Sequence, residues 1–391
     1  MTKNIIITGG GLSNKGAQAM LFTAIDEAKK RFPYSNIIVL SDGDYKNKNN
    51  LDGKYKFSFK PDIFKYFFSM GIYSKLKNIS SEEINEARNI LKDTGIMINV
   101  SGYALGSNWG LKKQLYYLSN IRVAKRYGIR VYLMPQSFGP FKYKSIMSVL
   151  MKKLIKFSLE KCDVIYAREK ESFDELTQNF KLTNVILSPD LVIRNKEINY
   201  HNVFEQIPET ITEPIKQNSI AIIPNMKNFE FGNKDEVISL YRKAIDSALN
   251  HGMNVYLIRH SSEDVIACNI LNELYPDNSH VIFLAKDYSS IEFNEIVKNM
   301  NFVVASRYHS IVHAYKNKIP CIAIGWATKY YELLRIFKQE AYISDVRRES
   351  NNKSLENTFE KMLDRYVDES RVIGDVLIDV QTKNIFDVIK S

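Results

Sequence analysis

The sequence predicts an α/β protein built from two Rossmann-like lobes that face an interdomain cleft, with helices at the C-terminus. Three observations lead there. At 391 residues the chain exceeds the roughly 250–300 residues at which single hydrophobic cores stop growing, so two domains are expected. Short β-branched runs alternate with helical patterns along the chain, the signature of parallel α/β layers. The stretch from about Val192 to Asn218 turns polar, carries Pro208 and Pro214 and loses periodicity, as a connection between two units does. The expected divisions are 1–195 for the first lobe, 196–218 for the linker, 219–350 for the second lobe and 351–391 for a helical tail.

In the first lobe the strands read Asn4–Thr8, Asn36–Leu40, Ile96–Ser101, Ile129–Met134, Asp163–Ala167 and Asn184–Ser188. The clearest helix runs from Ala17 to Arg31, with Ala17, Met20, Leu21, Ala24, Ile25 and Ala28 on one face and basic residues closing it. The segment Phe57–Tyr73 is dense in aromatics and carries two lysines. It reads either as a membrane-surface or lipid-acceptor contact or as packing beneath a lobe. In the second lobe the strands are Ile220–Pro224, Asn254–Ile258, His280–Leu284, Phe302–Ala305 and Pro320–Ile324, with helices near Asp235–Asn250, Asp264–Leu274 and Ile291–Asn299. From Ser354 onward the pattern suggests two amphipathic helices that return across the cleft.

A net charge of +10 favours anionic partners such as phosphorylated substrates or an anionic membrane face. Lysines and arginines are scattered and no binding motif appears, so nucleic acid is not an expected partner. No apolar run approaches the roughly 18–20 residues that span a bilayer, and Met1–Asn4 leads straight into a short strand without the apolar core of a signal peptide. A cytoplasmic protein is expected. Cys162, Cys268 and Cys321 are far apart in apolar segments, which reads as buried thiols in a reducing compartment.

The chemistry is concentrated where strands end. At Phe302–Ser310 an apolar run stops at Ser306-Arg307-Tyr308-His309, and a helical pattern follows. A guanidinium and an imidazole are thereby placed at the carboxyl end of a buried strand, where ligands bind in open α/β sheets and where a helix N-terminus favours anions. A fixed cation beside a group that titrates near neutrality suits acid–base chemistry on an anionic substrate.

Other strand ends add to it. Thr8–Gly16 is a glycine loop, with Asn14 and Gly16, that matches neither a dinucleotide fingerprint nor a Walker loop. Ser101-Gly102-Tyr103 follows the third strand, and Gln136-Ser137 ends the fourth between two prolines. Arg168 ends the fifth, in the place that Arg307 takes in the second lobe; its plainer reading is a salt bridge to a nearby glutamate. Asp190 ends the sixth and is placed to orient Arg168 or another cleft group. His260 closes the strand Asn254–Ile258 at the cleft edge, whereas His201, His251 and His280 fall in incidental positions.

No metal site is expected. His309 and His313 stand four apart without the glutamate or third ligand of a zinc site. Asp42-Gly43-Asp44 matches the Asp-x-Asp that holds metal–nucleotide in GT-A glycosyltransferases, but the two-lobed layout argues against that fold.

Taken in order, these segments resemble the polysaccharide pyruvyl transferase family from roughly Asn4 to Leu334. The resemblance is carried by Asn14-Lys15-Gly16, Ser101-Gly102-Tyr103, Gln136–Pro140, Arg168 with Ser172, Asp190, Ser306–His309, and Lys329-Tyr330 ahead of Leu333-Leu334. One departure stands out: the family loop commonly has aspartate after the glycine, and here Ala17 follows Gly16. The resemblance implies a GT-B-like fold and transfer of the carboxyethylidene group of phosphoenolpyruvate to a sugar as a ketal, with phosphoenolpyruvate as co-substrate and no metal or redox cofactor. Arg168 and Arg307 suit a clamp on its phosphate and carboxylate, and His309 suits the acid that protonates its methylene carbon. Asn14, Gly16, Ser101, Gly102, Tyr103, Gln136, Ser137, Asp190, His260 and Lys329 are the expected substrate-binding positions. The implied acceptor is a surface-polysaccharide precursor on a lipid carrier, compatible with peripheral contact at the cytoplasmic membrane face. A GT-B glycosyltransferase using a nucleotide sugar, and a non-catalytic binding protein on the same fold, are the alternatives.

Overall fold

The computed structural model describes residues 3–71, 77–210, 213–325, 327–345 and 351–390. Two parallel sheets dominate it. The first contains β1 (Asn4–Thr8), β2 (Ile37–Leu40), β3 (Ser58–Lys60), β4 (Thr94–Asn99), β5 (Tyr103–Leu105), β6 (Arg130–Phe138), β7 (Val164–Ala167) and β8 (Val185–Leu187). Their order is β3-β2-β1-β4-β6-β7-β8, with β5 on β6 beyond the main ladder. The second contains β9 (Ser219–Ile223), β10 (Asn254–Ile258), β11 (Val281–Leu284), β12 (Phe302–Ala305), β13 (Cys321–Gly325) and β14 (Ile343–Asp345), in the order β11-β10-β9-β12-β13-β14. Strands such as β1, β9 and β12 are apolar and buried almost throughout because helices cover both faces. These are the two Rossmann-like lobes.

The winding fixes where a ligand fits. From β1 the chain moves outward to β2 and β3, then returns to place β4 on the other side of β1. From β9 it moves outward to β10 and β11, then returns with β12. Each reversal leaves a crevice at the carboxyl ends of the central strands. The loops after β1 and β4 and the turn after β12 all open there.

The lobes share one core. The helix Lys15–Arg31 packs on Ser290–Lys298 and Tyr308–Lys316, and Ile5, Leu21 and Val192 belong to the same buried cluster as Ile223, Phe293 and Val312. The connecting segment takes part: Val203 and Phe204 are buried, and the Phe204 ring meets Phe22 edge-on at 5.2 Å. The three cysteines are buried and unpaired.

One expectation changes. The tail is one helix, Asn351–Val380, followed by a short 3-10 turn at Ile385–Val388, rather than two helices. Its apolar face runs without a break from Leu355, Phe359 and Met362 against the second sheet to Ile373 and Leu377 in the shared core. The turn beyond it returns to the first lobe, where Tyr166 Oη donates to the Ile385 carbonyl at 2.9 Å and Asn384 Nδ2 to Glu27 Oε2 at 2.7 Å.

The aromatic segment Phe57–Tyr73 is largely interior. Phe59, Ile63, Phe64 and Tyr66 are buried, and Phe57 and Phe67 pack against the cores. Rings committed to the interior are not free to enter a bilayer; Ile72 and Tyr73 lie outside the described residues. The stretch after β4 forms β5, a strand that the sequence pattern does not announce, because its backbone pairs with the end of β6.

Candidate active site

The helix Tyr308–Lys316 starts directly after β12, with Arg307 at its N-cap. That start places His309 in the first turn, facing the first lobe across the crevice. The contact is close. A Cβ on Gly16 would lie 2.3 Å from His309 Cγ and Nδ1, and one on Gly102 would lie 3.9 Å from Cε1. Both glycines are therefore seats for the imidazole. His309 Nε2 is buried without a hydrogen-bond partner and lies 3.5 Å from Asp190 Oδ2, an ion-pair distance that is long for a hydrogen bond.

Asp190 is fully buried. Its Oδ1 accepts from Val192 N at 2.9 Å, capping the short helix Leu191–Arg194, and its Oδ2 accepts from Arg168 Nη1 at 3.2 Å. Burial alone would raise its pKa, but His309 and Arg168 outweigh burial and hold it at about 2. The group therefore stays anionic at any working pH.

Arg168 joins the elements of the first lobe. Nε donates to Glu169 Oε1 at 3.0 Å and Nη2 to Ser137 Oγ at 2.8 Å, while the guanidinium lies 4.2 Å over the Tyr308 ring of the second lobe. The salt bridge to a neighbouring glutamate is thus present, together with a second one to Asp190. Ser137 Oγ donates to Glu169 Oε1 at 2.6 Å, and Ser172 Oγ donates to Glu169 Oε2 at 3.1 Å. A guanidinium has five N–H donors. Three are used here, and one on each terminal nitrogen has no partner among the described residues.

Arg307 is similarly held. Nε and Nη2 both bond Asp264, at 2.9 and 2.6 Å, and Nη2 also reaches Glu263 at 2.5 Å. Burial would lower its pKa, but these carboxylates raise it. Nη1 has no bond among the described residues. Lys329 differs from both arginines, because no carboxylate pairs with it among the described residues. Its Nζ lies 5.6 Å from the Tyr308 centroid and 5.5 Å from that of Tyr330. Desolvation, then Arg168, then Arg307 push its pKa down to about 8 against the pull of Glu169. It is the least balanced cation of the site.

The remaining expected positions divide. Asn14 bridges the lobes: its Oδ1 caps the helix Lys15–Arg31 through Ala17 N, and its Nδ2 donates to Ser261 Oγ at 3.1 Å. Lys15 beside it pairs with Asp287 across the crevice at 2.9 Å. His260 is buried, with neither ring nitrogen bonded, edge-on to Phe293 at 5.3 Å. Burial, then Lys15 and His309, hold it well below the usual histidine range, so it is a neutral group behind the site.

Three positions turn away. Gln136 is wholly buried, taking a bond from Tyr117 Oη at 2.9 Å and giving one to Asn99 Oδ1 at 3.3 Å. Its amide is spent inside the sheet, where it holds the end of β6 that also carries Ser137. Tyr103 Oη donates to the Gly139 carbonyl at 2.8 Å. Ser101 lies behind Gly9, which has φ +79 and where a Cβ would meet Ser101 Oγ at 2.1 Å. Asp42 and Asp44 are occupied locally: Asp42 accepts from Asp62 N at 2.9 Å and pairs with Lys65, and Asp44 accepts from Ser41 Oγ at 2.7 Å.

The site also contains groups that the strand-end reading did not select: Glu169, Asp264, Glu263 and Tyr308. Glu169 was visible as the residue after Arg168, and Asp264 as the acid three places after Ser261. Glu169 pairs with the arginine next to it in sequence, as the plainer reading of Arg168 anticipated, whereas Asp264 and Glu263 reach Arg307 only through long-range packing.

Gly16→Ala is expected to lower turnover by about 100-fold, the typical cost of a misplacement near 1 Å, while leaving affinity for the donor substrate unchanged. Steady-state kinetics beside a binding titration check this; unchanged turnover would contradict the seating of His309.

A family model described as polysaccharide pyruvyl transferase matches residues 14–328. None of the curated proteins matches the sequence. Among solved structures, a putative UDP-N-acetylglucosamine 2-epimerase from Listeria monocytogenes is similar at a TM-score of 0.61 and 12% identity, over 100% of this chain and 94% of that one. The UDP-GlcNAc 2-epimerase of Neisseria meningitidis, bound to UDP-GlcNAc, gives 0.59 at 11% identity, over 99% of each chain. A glycosyltransferase from Rickettsia africae gives 0.56 at 13% identity, over 100% of this chain and 99% of that one. At such identities the likeness is one of fold, and that fold is GT-B-like.

Proposed function

The chain belongs to the polysaccharide pyruvyl transferase family, and on that premise we propose that it moves the carboxyethylidene group of phosphoenolpyruvate onto a sugar of a polysaccharide precursor. The observation that carries the reading is the His309 imidazole, set between Gly16 and Gly102 against Asp190 and flanked by Arg168 and Lys329 around Tyr308.

Phosphoenolpyruvate presents a phosphate and a carboxylate. The free N–H groups of Arg168, Nη1 of Arg307 and the Lys329 ammonium are the donors that suit them. The anionic Asp190 faces Nε2 at 3.5 Å and orients the ring, leaving Nδ1, above Gly16, to deliver a proton to the methylene carbon. The neighbouring carbon becomes oxocarbenium-like, and a sugar hydroxyl adds to it. Phosphate leaves, and a second hydroxyl of the same sugar closes the ketal. One hydroxyl proton replaces the proton that His309 gave up, and the other leaves with phosphate. The protein's part is to bind, to orient and to hold that one proton.

Lys329 makes the reading testable by pH. Below about pH 8 the ammonium is already protonated. Above it, binding of the anion must take up a proton, so affinity falls by up to about tenfold per pH unit. Calorimetric titration with phosphoenolpyruvate between pH 7.5 and 10, in buffers of different ionisation enthalpy, is expected to show that proton uptake. Lys329→Met is expected to bind more weakly and without this limb. Affinity independent of pH over the window in the unaltered protein would contradict the assignment.

A further inference from the structure

The helix Ser145–Leu159, which follows β6, is apolar on two opposite faces. Met151, Ile155 and Leu159 enter the core of the first lobe. On the outward face Ile146, Val149, Leu150 and Phe157 stand at spacings of i, i+3, i+4 and i+11, 76%, 55%, 57% and 46% exposed. Surface helices of globular proteins normally present charge there, and a contiguous exposed apolar stripe marks an interaction surface. Lys153 lies within the stripe and Lys152 and Lys156 beside it, all exposed, and exposed Lys142 and Lys144 precede the helix. Arg122 and Lys161 lie 5.8 and 3.9 Å from the Phe157 ring centroid. The helix itself contains no acidic residue.

We infer that this face docks on an anionic lipid bilayer, with the four apolar side chains entering the interface and the lysines reaching the headgroups. Apolar area and basic charge on one helix face are the two terms that set interfacial binding. A second copy of the chain is the poorer occupant. A two-fold contact places the same patch against itself, bringing lysines against lysines with no acid on the helix to offset them. Among the described residues no helix is long and apolar enough to cross a membrane, so the contact is peripheral. The helix follows β6, whose carboxyl end carries Ser137, and docking brings the protein to the surface at which a lipid-linked sugar is presented. The docking itself does not rest on the transfer reaction.

Flotation of the whole protein with vesicles tests it. Binding is expected to equimolar phosphatidylglycerol and phosphatidylcholine, not to phosphatidylcholine alone, and to weaken in high salt. The double variant Ile146→Ser/Leu150→Ser and the triple variant Lys152→Glu/Lys153→Glu/Lys156→Glu are each expected to lower the partition coefficient at least about tenfold. Unaltered denaturant unfolding transitions would show these variants to be folded. Absence of flotation by the unaltered protein, or flotation that neither variant reduces, would overturn the inference. So would a dimer in sedimentation velocity that the serine variant dissolves, because the stripe would then be an interface between copies.

Discussion

His309→Gln is expected to lower pyruvyl transfer by about 10²–10⁴-fold, the usual worth of a positioned general acid, while phosphoenolpyruvate still binds. The split follows from geometry. The imidazole touches the first lobe through Gly16 and Gly102 and faces Asp190, whereas the cations suited to the donor's charges are Arg168, Arg307 and Lys329. Removing the acid should therefore leave ground-state binding nearly intact and remove an interaction that matters in the transition state. Equal loss of binding and turnover would assign His309 to anion recognition instead. Asp190→Asn is expected to lower turnover in the same way, since it removes the anion that faces Nε2 and orients the ring.

Arg168→Met is expected to have the largest combined effect. The side chain is 3% exposed and binds Glu169, Asp190 and Ser137 while lying over Tyr308. Its loss leaves two buried carboxylates without their cation, which typically costs about 3–5 kcal/mol. Phosphoenolpyruvate binding should be lost as well. The two effects can be separated. Adding Glu169→Gln to Arg168→Met removes one stranded charge and should recover part of the stability without restoring binding. Denaturant unfolding beside calorimetry reads both quantities. If Arg168→Met were as stable as the unaltered protein, the pairing with Glu169 and Asp190 would not be holding the site together.

The sequence makes the sheet legible where strands are buried on both faces, because β1, β9 and β12 are then continuous apolar runs. It hides β3, β5 and β14, three residues each, since such short segments become strands only through the neighbour they pair with. The tail was harder for a related reason: a helix is bounded in sequence by caps and breakers, and Gly374 lies inside the long helix without ending it. In the site, Arg168, Arg307 and His309 could be found because strand ends face the crevice in this architecture. The partners of Arg168 were legible as well, Asp190 as a strand end and Glu169 as its neighbour in sequence. The partner of Arg307 was not: Asp264 reaches it from 43 residues away, a distance that only the winding closes. Gln136 shows the converse. It sits at a strand end, but one side-chain rotation commits its amide to Tyr117 and Asn99 inside the sheet.

Calorimetric titration of the purified protein with phosphoenolpyruvate, run beside UDP-N-acetylglucosamine, separates pyruvyl transfer from the chemistry of the fold's other users. Saturable binding of phosphoenolpyruvate that persists in His309→Gln and disappears in Arg168→Met, with no heat from the nucleotide sugar, is the expected result. Binding of UDP-N-acetylglucosamine with none of phosphoenolpyruvate would contradict it, and would make the same crevice a nucleotide-sugar site.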